Sequence, residues 1–160
     1  LAVNLFLDDV RKCIDKGNMV GALFVDLSKA FDTIGHGRLL DQLPTMYGIK
    51  DKELEWFENY LFNRSQYVFY EKEASNVMNL KCGVPQGSIL GPILFLLFFN
   101  DLVDHLEKVK VLKLADDTVM YFSDKDFFNI ESTLNSDIHN LYRYLYDNEL
   151  IINLKQTKLK

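Results

Sequence analysis

Two runs of β-branched and aromatic residues, Val109-Lys110-Val111-Leu112 and Val119-Met120-Tyr121-Phe122, flank the polar break Lys113-Leu114-Ala115-Asp116-Asp117-Thr118. This pattern predicts two strands and a tight turn, and a hairpin commits this part of the chain to antiparallel pairing. Asp is a good turn residue in its own right. Asp-Asp is nevertheless a weaker two-residue turn than Asn-Gly or Asp-Gly. Adjacent like charges also repel, and a cation would relieve them. On this stretch alone, turn chemistry and cation binding stand about level.

A chain of 160 residues with 48% hydrophobic and 13% aromatic content is expected to form one folded domain with a buried core. The net charge of −5 has the wrong sign for a self-sufficient nucleic-acid binder. Cys13 and Cys82 have no metal-ligand spacing, and His36, His105 and His139 form no ligand cluster, each reading as a surface or capping residue. The first residues do not read as a signal peptide. The longest apolar run, residues 89–99, is too short to span a bilayer. No membrane partner is expected.

Taken in order, residues 1–16 predict an amphipathic helix burying Leu5, Leu7, Val10, Cys13 and Ile14, closed by Gly17. Residues 19–26 predict a strand buried on both faces and ending at Asp26. A charge there is costly unless it is paired, bound to metal, or used to cap the next turn. Helices follow over 36–47 and 51–62, the second packing Leu54, Trp56, Phe57, Tyr60 and Leu61. Strands at 66–70 and 77–82 make a hairpin, with Arg64 just before it as a loop charge. Gly83-Val84-Pro85-Gln86-Gly87-Ser88 is a turn-rich connector into an apolar helix over 88–106, with Ser88 as N-cap. Its glycines suit either close approach to a ligand, presenting the single Gln86 amide, or a tight loop alone. A helix over 127–148 follows, with Ile130, Leu134, Ile138, Leu141 and Leu145 on one face, then a strand at 151–154. A Lys-rich tail ends the sequence.

This order predicts an α+β sandwich, with the Asp26 strand and the Asp116-Asp117 hairpin side by side in an antiparallel sheet backed by helices. Three carboxylates converging at strand ends can hold two divalent ions about 3.5–4 Å apart, an arrangement suited to in-line phosphoryl or nucleotidyl transfer. No Ser-His-Asp set and no Gly-x-x-x-x-Gly-Lys loop competes.

Three motifs appear in order: Phe24-Val25-Asp26-Leu27-Ser28-Lys29-Ala30-Phe31-Asp32-Thr33, Gly83-Val84-Pro85-Gln86-Gly87-Ser88-Ile89-Leu90-Gly91-Pro92, and Ala115-Asp116-Asp117-Thr118. Together they resemble the reverse transcriptases of non-long-terminal-repeat retrotransposons, the LINE-type elements, and the jockey-like branch in particular. Phe99-Asn100-Asp101-Leu102 and Tyr60-Leu61-Phe62-Asn63-Arg64-Ser65-Gln66-Tyr67-Val68 resemble the same branch.

The resemblance implies a right-hand polymerase palm with part of the fingers over residues 1–160. The implied activity is RNA-directed DNA polymerase, extending a DNA primer on an RNA template with deoxynucleoside triphosphates. Asp26, Asp116 and Asp117 would be catalytic and would bind two Mg²⁺ ions, replaceable by Mn²⁺, with the Leu27 carbonyl assisting. Phe31 would be the steric gate against a 2′-hydroxyl, Gln86 would line the nucleotide pocket, and Gly87 would admit backbone approach. Asp32 would be structural, fixing its turn. Arg64, Leu114, Lys155 and Lys158 would contact nucleic acid.

Two positions depart from the family pattern. Leu114 stands where an aromatic residue is usual, and Gln156 stands where a lysine would protonate the leaving pyrophosphate. The resemblance also implies a piece of a longer polyprotein, lacking basic fingers strands, thumb and endonuclease, which accounts for the acidic balance. It implies an intracellular, nuclear setting for the parent element. The alternative is a catalytically inactive retroelement remnant acting at most as a binding module.

Overall fold

The computed structural model describes residues 2–114 and 117–160, with Ala2 and Leu114 described by backbone alone. The chain divides into two compact units, Leu1–Ala30 with Phe99–Lys160, and Phe31–Phe98.

The first unit is a sheet between helices. Helix α1 (Ala2–Asp15) leads to β1 (Met19–Val25), and after the second unit come β6 (Lys110–Leu114), β7 (Asp117–Asp124), α5 (Phe127–Asp147) and β8 (Lys158–Leu159). The sheet is antiparallel in the order β6-β7-β1-β8. β1 pairs with β7 along its whole length, from Met19↔Asp124 to Val25↔Thr118. The pleat turns alternate residues to opposite faces. Gly21, Leu23 and Val25 face α5, and a Cβ on Gly21 would lie 2.6 Å from Ile130 Cγ2 and 2.7 Å from Leu134 Cδ1. Ala22 and Phe24 face α1, whose Phe6 ring stands edge-on to Phe24 and Tyr121.

Asp9 fastens α1 to the sheet by accepting from Lys110 Nζ at 2.7 Å and Tyr121 OH at 2.9 Å. The Lys110 hydrogen bond, then that of Tyr121, holds the Asp9 carboxyl below the usual carboxylate range. Burial, with Asp9 beside it, pushes the Tyr121 hydroxyl up to about 12.

Asp137, buried on α5, fixes the approach to the hairpin. Its carboxylate accepts from the backbone N–H groups of Glu107, Lys108 and Val109 at 2.9–3.0 Å, and from Asn140 Nδ2 at 3.1 Å. Burial alone would raise its pKa, but these donors outweigh burial and lower it. A lowered carboxylate contributes stability above its unfolded pKa near ~3.9, and that contribution is lost as pH falls through the folded value. Asp137→Asn is therefore expected to cost about 2–3 kcal/mol in urea unfolding at neutral pH. The gap between wild type and variant should shrink below about pH 4. A gap constant down to pH 2 would reject this account.

The second unit holds α2 (His36–Tyr47), α3 (Asp51–Leu61), a hairpin excursion and α4 (Leu90–Phe98). Leu39, Leu40, Leu43, Leu61, Leu94, Phe95 and Phe98 are its buried apolar side chains on these helices. Gly48 ends α2 at φ 67°, donating to the Leu43 carbonyl as a left-handed cap.

The α+β architecture is as expected, and several local expectations are corrected. The 66–70 and 77–82 strands break into two short ladders, β2 (Ser65–Gln66) with β5 (Met78–Asn79), and β3 (Phe69–Tyr70) with β4 (Glu73–Ala74). Ser75 Oγ accepts the Val68 N–H, and every residue of these four strands is exposed, so no packing reinforces continuous pairing.

The 88–106 helix stops at Phe98 and is followed by a 3₁₀ turn, Asn100–His105. Lys113 Nζ takes the carbonyls of Phe99 and Asn100 at 3.1 and 2.9 Å, removing them from an α ladder. On α1 it is Phe6, Val10 and Cys13 that are sheltered, while Leu5, Leu7 and Ile14 are exposed. Trp56 lies along α3, 52% exposed and stacked on Tyr60 at 5.6 Å, rather than inward. Among the described residues, 151–154 pair through the single bridge Leu27↔Ile152, and the strand forms in the tail as β8. Among the described residues, no helix is long and apolar enough to cross a membrane.

Candidate functional site

In the first unit the β1–β7 register ends at Val25↔Thr118, and continued by one step it would set Asp26 opposite Asp117. Directly opposed residues on adjacent antiparallel strands share a face, with Cβ atoms about 4.5–5.5 Å apart. Asp117 is exposed and Asp26 is half-buried. Two carboxylates so placed destabilise the ladder unless a cation lies between them. Among the described residues, the ion pairs are Arg11–Asp8, His105–Asp101 and Lys110–Asp9, and neither Asp26 nor Asp117 takes part. Asp116, expected as the third ligand, lies outside the described residues. Among those described, no three His, Cys, Asp or Glu side chains gather as a ligand set.

The backbone beyond β1 is fixed from the other side. Asn153 N–H donates to the Asp26 carbonyl at 2.8 Å, and Ser28 N–H donates to the Ile151 carbonyl at 2.7 Å. These two bonds bracket the Leu27↔Ile152 bridge as a non-hydrogen-bonded antiparallel pair. In such a pair the residue's own N–H and C=O point away from the partner strand. Leu27 therefore turns its carbonyl from the 151–153 segment toward the β7 side. Carboxylate and carbonyl oxygens, the donors that Asp26, Asp117 and Leu27 carry, are of the hard kind that a divalent cation takes. The residues present fit a divalent ion.

In the second unit, the segment from Phe31 to Ile34 and the Gly83–Gln86 connector are tied together. Val84 N–H donates to Phe31 O, and Gly83 N–H donates to Ile34 O, each at 2.8 Å. Gly83 sits at φ 85° against the backbone of Asp32, where a Cβ would lie 2.8 Å from the Asp32 carbonyl oxygen. Gln86 Nε2 donates to Asp32 Oδ1 at 2.9 Å. A carboxylate only accepts, so this bond fixes the amide and leaves Gln86 Oε1 as the atom offered elsewhere. The Phe31 ring rests on Phe95 at 4.8 Å. Phe31, Pro85, Gln86, Gly87, Gly91 and Pro92 line a cavity of about 340 Å³. Ser88 caps the helix that follows, accepting from Gly91 N–H at 3.0 Å.

The remaining candidates are scattered. Arg64 donates through Nε to the Tyr60 carbonyl and lays its guanidinium 4.4 Å from the Tyr60 ring centroid. Lys155 and Lys158 are exposed, Lys158 in the β8 ladder opposite Phe24. Leu114 closes β6 opposite Asp117, and its side chain lies outside what is described. Gln156 accepts from Asn153 Nδ2 at 2.6 Å.

Two residues carry more of the site than their sequence context suggested. His36 is buried, not a surface histidine, and its Nε2 hydrogen-bonds the Gly83 carbonyl at 2.7 Å. Asp32 is the partner of Gln86. Asp32 lies within the first motif, and His36 lies three residues past its end.

Residues 5–160 match the sequence family described as reverse transcriptase (RNA-dependent DNA polymerase). The chain is 30% identical over 132 residues to the RNA-directed DNA polymerase from mobile element jockey of Drosophila melanogaster, an alignment covering 75% of this chain and 14% of that protein. It is 28% identical over 120 residues to the probable RNA-directed DNA polymerase from transposon X-element of the same fly, covering 72% and 13%. Among solved structures, apo telomerase from Candida tropicalis truncated from its C-terminal domain superposes with a TM-score of 0.68 at 16% identity, covering 98% of this chain and 35% of that one. The chain thus spans about one seventh of the length of these curated relatives.

Proposed function

This chain belongs to the reverse transcriptase (RNA-dependent DNA polymerase) family, and we propose that it forms the palm and part of the fingers of a non-long-terminal-repeat retrotransposon polymerase, extending a DNA primer on an RNA template. The observation that carries this reading is the β1–β7 register, which ends at Val25↔Thr118 and runs toward Asp26 and Asp117. Asp26, Asp117 and the Leu27 carbonyl, with Asp116, would hold two Mg²⁺ ions, for which Mn²⁺ can substitute. When bound, such ions activate an attacking hydroxyl and neutralise a leaving pyrophosphate.

The chain's own residues do the rest. Phe31, backed by Phe95, presents a ring that a 2′-hydroxyl would strike. Gln86, oriented by Asp32, offers an acceptor to the nucleotide. Gly87, at φ 78° with open space beside it, leaves its backbone bare for close approach. Arg64, Lys155 and Lys158 supply cationic contacts to phosphates. Template, primer and nucleotide triphosphates are the partners, together with further regions of a longer polyprotein.

The test is primer extension on RNA in Mg²⁺ by a polypeptide carrying this domain. Phe31→Ala is expected to raise the ribonucleotide-to-deoxyribonucleotide incorporation ratio by about ten- to a hundredfold, the scale of one lost steric contact in a fitted pocket. An unchanged ratio would remove Phe31 from the gate role. One observation favours a second reading, an inactive remnant: Gln156 cannot supply a proton and its side-chain oxygen is occupied by Asn153. Divalent binding at Asp26 without any extension would establish that reading instead.

A further inference from the structure

Asp26 stands where β1 leaves its ladder, and what holds it there is a side chain. The chain loops out between Ile152 and Lys158, past the β1–β8 rungs. The Asp26 N–H donates to Thr157 Oγ1 at 3.2 Å. We infer that Thr157 is a positioning residue for divalent-ion binding: its hydroxyl sets the backbone of Asp26 and, through it, the direction of the Leu27 carbonyl. This inference rests on the polymerase-centre reading above.

The loop that presents Thr157 is itself closed. Gln156 N–H and Thr157 N–H both donate to the Asn153 carbonyl, at 3.1 and 2.9 Å. Asn153 Nδ2 donates to Gln156 Oε1, and Lys155 N–H donates to Asn153 Oδ1. Asn153 N–H in turn donates to the Asp26 carbonyl. Both backbone polar groups of Asp26 are thereby fixed from one five-residue turn, while its carboxylate is left for a ligand. Thr suits the task, because a β-branched side chain has few χ1 states and its hydroxyl is held aimed. Gln156, where the family resemblance places a lysine, serves here as the lock of this turn.

The experiment uses the intact chain labelled with ¹⁵N. Amide exchange at Asp26 is measured without metal, and Mn²⁺ affinity is read from paramagnetic broadening near Asp26 and Asp117. Thr157→Val keeps the shape and removes the acceptor, and Thr157→Ser keeps the acceptor. Asp26 exchange is expected to accelerate in Thr157→Val and Mn²⁺ affinity to fall about three- to tenfold, the scale of one net hydrogen bond. Thr157→Ser should stay within about twofold of wild type for the same reason.

Unchanged Mn²⁺ affinity in Thr157→Val overturns the Thr157 assignment alone. No broadening near Asp26 in wild type overturns the metal-site reading, and the assignment with it. If Thr157→Val does not fold, the wild-type exchange rate and Thr157→Ser decide: an unprotected Asp26 amide in the folded chain, or lost affinity in Thr157→Ser, overturns the inference.

Discussion

Asp26→Asn is expected to lower divalent-dependent primer extension by about a thousandfold while leaving the metal-free fold slightly more stable. The first half follows from ligand chemistry. A hard cation needs anionic oxygen, and an amide keeps the shape of the side chain without the charge. Metal-ion stabilisation of a transition state is worth several kcal/mol, and each ~1.4 kcal/mol is tenfold in rate. The second half follows from the ladder. The β1–β7 register, continued one step past Val25↔Thr118, would set Asp26 against Asp117 as like charges, and removing one would relieve roughly 0.2–1 kcal/mol of cross-strand repulsion. For a domain of this size that is a rise of up to about 3 °C in the thermal midpoint. Opposite signs for activity and stability separate a metal ligand from a structural aspartate. A variant losing both would show that the carboxylate supports the fold and not the ion.

The second large effect concerns Gly83. At φ 85° a Cβ is strained wherever it points, and here it would meet the Asp32 carbonyl oxygen, Cα and carbonyl carbon at 2.8–3.0 Å. All three are backbone atoms, so no side chain can swing aside. Left-handed strain of about 1–2 kcal/mol and overpacking of about 1–3 kcal/mol together put Gly83→Ala at roughly 2–5 kcal/mol. Because Asp32 must shift, the Gln86 amide loses its orienting partner and the Phe31 gate ratio should change as well. Gly87→Ala is the control: φ is 78°, but nothing lies within 4 Å of its Cβ. It should cost only the strain, about 1–2 kcal/mol. Equal losses in the two variants, measured by urea unfolding, would reject the close-packing account of Gly83.

What could be read from sequence was set by the range of the signal. α5 shows a 3.6-residue apolar rhythm over 21 residues, and the β6–β7 pair shows β-branched runs about a break, so both elements emerge from local pattern. The α+β order and the adjacency of the Asp26 strand to the hairpin follow from those elements. The Leu27↔Ile152 bridge and the β8 rungs are different. They are isolated contacts across more than a hundred residues, with no periodicity to announce them. Likewise the Asp32–Gln86 and His36–Gly83 bonds join side chains about fifty residues from their partners. Only the motif resemblance brought the first pair of segments together, and it assigned their roles without the bonds that hold them. Trp56 was misplaced because a helical apolar face does not say whether a ring turns inward or lies along the surface.

The pairing of β1 carries a consequence for how this chain is made. Its principal partner, β7, follows it by about a hundred residues, and β8 lies farther still. At a synthesis rate of about 5–20 residues per second, β1 waits roughly 5–20 seconds before β7 leaves the ribosome. During that interval Ala22-Leu23-Phe24-Val25 is an apolar segment with neither edge satisfied. Non-local pairing of this kind also slows folding once the chain is complete. The strand that leads to Asp26 is therefore paired on both edges in the finished sheet and open to mispairing on the way there, so chaperone dependence in expression should track residues 22–25 rather than the carboxylates.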